Sequence, residues 1–348
     1  MRVKKETLSY LILGIIITIS SLLIGCNKNV LEEEKQVYAW PIATASPEDT
    51  VTQIFAEKFA EEVEKMSDGK MIIQVYSNSV LGGDRELLES CKDGDIPFVV
   101  QNTAPQVSFI KEASIFDLPC VFTDIEDVRQ TVDNEEFLSV MKDAYKKSGY
   151  KLMGYSDQGF RVMSTNKMVK EFNDYKGQKI RIMENPYHLQ FWRSINASPT
   201  PMSFSEVYIG LQQKTIDAQE NPYEVIVSNR LYEQQKYIIE TNHLPHLISF
   251  IVSEKFYEKL SPEDQDIINK AAQVAIDYSR KVSDERVEEK MDIIKSTGTE
   301  IIPISENLRD EMIEASQSVY NNIRDVVGND LINLYTCLLY TSPSPRDA

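Results

Sequence analysis

Lys176 to Pro186 reads KGQKIRIMENP. Its centre alternates as a short strand does, with Ile180 and Ile182 on one face and Arg181 on the other. Gly177 and Pro186 punctuate the two ends. Taken alone, an arginine in such a strand marks a solvated outer face. This strand, however, runs into Glu184-Asn185-Pro186, and the same tripeptide recurs at Glu220-Asn221-Pro222, closing the run TIDAQENP.

Outward from these segments the chain alternates strand and helix. VYAWPIA reads as a strand, and Val51, Ile54, Phe55, Phe59, Val63 and Met66 mark a helix of period 3.6. MIIQVY, IPFVVQN and YKLMGY read as strands, separated by a helix at DRELLESC and a helical region from Ile125 to Lys147. After Phe160 come strands RVMSTN and KIRIM, helices PYHLQFWRSI and SEVYIGLQQ, and strands TIDAQ, YIIET and HLISFIVS. Ser261 opens a capping sequence, SPED, for a helix running almost to Ser296; EIIPI and a last helix, NLRDEMIEASQSVYNNI, follow. Alternation of this kind predicts α/β layers, and 348 residues predict two of them.

Thirty-seven Lys and Arg stand against 54 Asp and Glu, a formal charge of −17, which argues against nucleic acid and anionic lipid as partners. A buried site for a small anion remains compatible with that balance. Three histidines occur, His188, His243 and His246, and no nucleophile elbow, phosphate loop or dinucleotide fingerprint is present. Ser203 and Ser205 precede a helix as caps do. The chain is therefore read as a binding protein, not an enzyme, with no cofactor and no metal. Cys91 and Cys120 fall among hydrophobes and are expected as buried free thiols.

The ends are set apart. MRVKKE followed by LSYLILGIIITISSLLIG has the form of an export signal, and Leu23-Ile24-Gly25-Cys26 resembles a bacterial lipobox, in which the cysteine is lipidated. Residues 1–25 are expected as a lipoprotein signal peptide, Cys26 as the lipidation site and 26–36 as a tether, placing the protein on the extracytoplasmic face of the cell envelope. CLLYTSPSPRD resembles a translated sequencing adapter, so residues 337–348 are read as an artefact and the true end is sought near Tyr335.

From Gly159 to Pro222 the chain resembles the DctP-type solute receptors of tripartite ATP-independent periplasmic (TRAP) transporters. GFRVMSTNK, DYKGQKIRIMENP, ASPTPMSFSEVYIGLQQKTIDAQENP and TNH carry the likeness, as do FAEKFAEEVEK, YSNSVLGGDRELLE and IFDLPCVF earlier. The resemblance implies a two-lobed type II periplasmic-binding fold with a ligand cleft between lobes and a long bracing helix. Residues 37–158 and 247–286 would form the first lobe, and 159–246 and 287–336 the second. It implies further that Arg181 forks onto a ligand carboxylate in a cleft that stays open and wet until ligand closes it. Arg161, Asn221, Phe204, His243, Asn102, Glu184 and Gln158 would line the cleft, and TRAP membrane subunits would be the protein partner. Two departures, Ala218 where a glycine is usual and Pro97 and Pro105 around Asn102, bear on the backbone of the site. The amide-rich lining favours a sugar acid, a uronate or aldonate, over a dicarboxylate. A lipid-anchored sensor uncoupled from transport would need the same cleft.

Overall fold

The computed structural model describes residues 37–336. The signal, lipobox and adapter-like segments lie outside them. Two sheets organise the chain. The first comprises β1 (Tyr38–Ala43), β2 (Met71–Tyr76), β3 (Phe98–Asn102), β4 (Tyr150–Phe160) and β10 (Pro245–Ser253), in the order β2-β1-β3-β10-β4. The second comprises β5 (Val162–Thr165), β6 (Lys179–Ile182), β7 (Ser198–Pro201), β8 (Ala218–Asn221), β9 (Tyr237–Glu240) and β11 (Glu300–Pro303), in the order β11-β9-β5-β8-β6-β7. β1, β2 and β3 are parallel and β10 runs against both β3 and β4. This is a mixed α/β fold of two layers.

The chain passes from one sheet to the other at two adjacent places. Arg161 is the single residue between β4 and β5, and Thr241 to Leu244 join β9 to β10. Two residues ahead of the first crossing Gly159 takes φ 71°, a left-handed conformation that costs glycine nothing. The helix Pro262–Ser296, capped by Ser261 accepting from Asp264 N, makes the third passage. Its Ile268, Ala271, Ala275 and Ile276 pack with Phe55, Phe59, Phe98 and Phe250 of the first sheet's core. Its far end places Ile294 among Val162, Val207, Leu211 and Ile238 of the second. Apolar contacts at helical spacing thus lock one rigid rod to both layers.

Several local expectations differ from the structure. The helical region 125–147 is two helices, Ile125–Asp133 and Glu135–Lys147, because the Asn134 side chain accepts from Glu136 N and Phe137 N and starts a new helix. The strand at TIDAQ forms only from Ala218 to Asn221. β7 reads SPTP, a proline-rich edge strand that gives no periodic signal. The last helix is Glu306–Ala315 followed by Gln317–Thr336. The latter was expected on the second lobe. Its Tyr335 packs among Phe116, Phe122 and Phe137 beside the first sheet, and its Asn322 donates to Gln190 Oε1 on the helix that follows β6. Cys91 and Cys120 are buried and unbridged.

Candidate functional site

β6 carries Ile180 and Ile182 into the core and turns Arg181 toward the other sheet, where the side chain is 2 % exposed. Its Nε and Nη2 donate to Met202 O at 2.9 and 2.6 Å, and the guanidinium lies 5.8 Å from the Phe204 ring centroid. Nη1 is buried with no hydrogen-bond partner among the described residues. Burial pulls the Arg181 pKa down to about 10, with Glu220 opposing that and Arg161 adding to it, so the group stays cationic at neutral pH. A buried, charged and unsatisfied N–H is costly to maintain and is the strongest demand for an anion in the site.

Arg181, Asn102, Phe204 and Asn221 line one cleft, joined by Asp84 and His246. Its inner part holds about 40 Å³, and an adjoining depression of about 100 Å³ shares Asp84, Arg181, Met183 and Phe204 with it. The inner part alone has room for a few waters. Contacts between the first-sheet and second-sheet segments hold it narrow: Asn185 Nδ2 donates to Ala104 O at 2.8 Å and Asp117 Oδ2 at 2.7 Å, and Glu224 Oε2 accepts from Val51 N at 2.9 Å.

Arg161 does not present a free charge to the cleft. It is 1 % exposed and its nitrogens are all engaged. Nε bonds Glu220 Oε2, Nη2 donates to Glu220 Oε1 at 2.8 Å, to Glu220 O at 2.6 Å and to Asn221 Oδ1 at 3.2 Å, and Nη1 meets His246 Nδ1 at 2.5 Å. Burial alone would raise the Glu220 carboxyl, yet the charge of Arg161 and the bond from His243 hold it far below the usual range. The pair is neutral as a unit, and through it Arg161 bonds both Asn221 and His246, which line the cleft.

Of the remaining candidates, Asn102 donates to Leu247 O and accepts from Ala104 N, which fixes its amide at the cleft edge. Asn221 Nδ2 gives one hydrogen to Gln219 Oε1 at 2.6 Å and keeps a second. His243 is not in the cleft: its Nε2 bonds Glu220 Oε2, its Nδ1 bonds Thr241, and its ring stacks on Phe191. Glu184 is exposed and borders the adjoining depression that Arg181, Asp84 and Phe204 also line. Gln158 is buried in a separate cavity of about 430 Å³, where Nε2 donates to Glu224. That larger cavity is lined by Asp124, Glu224, Glu240 and Asp284, and its one arginine, Arg286, is already paired with Asp49 and Glu224. It suits an organic anion poorly.

Asp84 and His246 were not singled out from sequence. Asp84 stands at the first position of the helix Asp84–Asp93, directly after Gly82-Gly83, and that placement was the available signal. Burial raises its pKa to about 6, against the lowering effect of Arg181. A carboxyl whose folded pKa is raised stabilises the fold relative to its ionised form below about pH 4, and that contribution is lost as pH rises through about 6. Asp84→Asn is therefore expected to add about 1–2 kcal/mol at pH 8 and nothing at pH 4. Thermal melts at both values check this, and an equal effect at the two would contradict it.

A cleft between two α/β layers, with a buried arginine that has no ion-pair partner among the described residues, is the arrangement of a ligand-binding protein of the two-lobed type. The family model for bacterial extracellular solute-binding protein, family 7 (DctP) matches residues 42–325. The chain belongs to this family, the DctP-type solute receptors of TRAP transporters. A solute-binding protein of Verminephrobacter eiseniae is 35% identical over 233 residues, covering 66% of this chain and 68% of that one. The sugar acid binding protein DctPAm of Advenella mimigardefordensis, in complex with galactonate, superposes with a TM-score of 0.84 at 28% identity, covering 88% of this chain and 99% of that one. A TRAP periplasmic solute-binding protein of Shewanella oneidensis with bound succinate gives 0.83 at 26% identity, over 87% and 99%.

Proposed function

We propose that this receptor captures an organic monocarboxylate by a charge-assisted contact from Arg181 and delivers it to TRAP membrane subunits. The unpartnered Nη1 of Arg181 carries the reading, because a ligand carboxylate satisfies at once its hydrogen-bonding and its charge. A sugar acid fits better than a dicarboxylate. Arg161 is neutralised by Glu220, so Arg181 is the cation left to meet a single carboxylate, while Asp84, Asn102 and Asn221 supply acceptors and donors for hydroxyls. The galactonate-bound relative supports that choice, and the succinate-bound relative keeps the dicarboxylate as the alternative.

A thermal-shift panel separates the two. At about 100-fold excess over the dissociation constant a true ligand adds about 2.7 kcal/mol of apparent stability. Galactonate, gluconate, galacturonate or glucuronate is expected to stabilise the protein and malate or succinate is not. The reverse result would overturn the sugar-acid choice and leave the carboxylate contact standing.

Entry of such an acid into the narrow cleft requires the lobes to part, and the crossovers at Arg161 and at 241–244 are where they would flex. Small-angle scattering is expected to give a smaller radius of gyration with saturating ligand than without; identical profiles would contradict the hinge. Lipid attachment at Cys26 is proposed to hold the receptor at the membrane. Unchanged lipid labelling in Cys26→Ser would remove that proposal.

A further inference from the structure

All three histidines of the chain gather around the Arg161–Glu220 pair, and one of them, His246, also faces the ligand cleft. We propose that His246 is a specificity residue of that cleft: it offers a single N–H, from Nε2, to an uncharged oxygen of the bound acid, a hydroxyl or carbonyl beyond the carboxylate. The inference rests on the reading of Arg181 as the carboxylate contact.

The tautomer follows from the partner. A guanidinium has only donors and does not deprotonate, so Nδ1 of His246, 2.5 Å from Arg161 Nη1, must accept. A neutral imidazole then carries its hydrogen on Nε2. Nε2 has no hydrogen bond to the described residues, yet it is not among the side-chain atoms sealed from solvent without a partner. Burial and the charge of Arg161 both press the ring well below its ordinary pKa; of the other groups facing it Glu220 opposes this and His188 adds to it. Arg161 is itself held by both oxygens of Glu220 and by the Glu220 carbonyl, so the acceptor geometry at His246 is fixed from behind. A neutral donor does not offset a second carboxylate, and Asp84 in the same cleft would repel one. His246 thus rewards an uncharged oxygen at that point, and Asp84 beside it disfavours a second carboxylate there.

The test combines ¹⁵N-histidine NMR with calorimetry, using galactonate as the probe. His246 is expected as the neutral Nε2–H tautomer from pH 5 to 8, with its Nε2–H resonance shifting when galactonate saturates the protein. His246→Met should lose about 10- to 100-fold in galactonate affinity. His246→Gln, whose amide offers an acceptor and a donor side by side, should recover most of that loss. An Nδ1–H tautomer, a titration near pH 6.5, or an Nε2–H resonance unmoved at saturation would each overturn the inference. So would tighter binding of succinate than of galactonate, which leaves the carboxylate contact standing. Failure of every acid in the panel would instead overturn the Arg181 reading beneath it.

Discussion

Replacing Glu220 by alanine is expected to destabilise the protein by roughly 3–5 kcal/mol, on the order of 10 °C in melting temperature. The residue is fully buried and its carboxylate is the counter-ion of Arg161, itself 1 % exposed. Without it, a guanidinium at the crossing from β4 to β5 loses its only charged partner among the described residues, and His243 Nε2 loses its acceptor. A buried ion pair contributes modestly by its presence and heavily by its disruption, so Arg161→Met combined with Glu220→Leu should recover much of the loss. The pH dependence has the opposite sign to that at Asp84. Glu220 has its folded pKa depressed, so its contribution is present above its unfolded value near 4.3 and is lost only as pH falls through the lowered one. Denaturant unfolding checks the magnitude. A loss below about 1 kcal/mol for Glu220→Ala would mean the pair does not hold the crossover.

The second large effect is at the ligand contact. Arg181→Ala is expected to weaken binding by roughly 2–5 kcal/mol, about 30- to several-thousand-fold. Arg181→Lys should also be severe. Nε and Nη2 are both committed to Met202 O, and Nη1 projects beyond them in the plane of the fork. An ammonium cannot serve a backbone carbonyl and a ligand carboxylate with that rigid geometry. The fold should tolerate either change better than it tolerates loss of Glu220, because among the described residues no carboxylate is in direct ion-pair contact with Arg181, as Glu220 is with Arg161. Calorimetry with the best acid of the panel, beside a melting curve for each variant, separates affinity from stability.

Much of this was legible in the residues. The periods of 2 and 3.6 located most of the strands and the long helix, because apolar spacing follows directly from which face is buried. KIRIM gave Arg181 its outward direction, and the likeness to the DctP receptors named Asn102, Phe204 and Asn221, which do line the cleft with it. Pairing was not legible. Nothing local in GFRVM says that Arg161 will meet Glu220, 59 positions away, and be neutralised there. His243 and His246 show the same limit, since three residues of β10 and its approach decide which ring enters the core and which the cleft. Gln158 lies in the separate cavity, where Glu224, 66 positions away, accepts from its amide. Loops and edge strands such as SPTP leave no periodic trace at all.

The central claim is that one guanidinium, that of Arg181, takes the ligand carboxylate. A crystal structure of the protein with galactonate, or with whatever acid copurifies, tests it most directly. A carboxylate oxygen is expected within hydrogen-bond distance of Arg181 Nη1, with Arg161 still bonded to Glu220. A ligand carboxylate held by Arg161 with Glu220 displaced, or lodged away from Arg181 altogether, would contradict it.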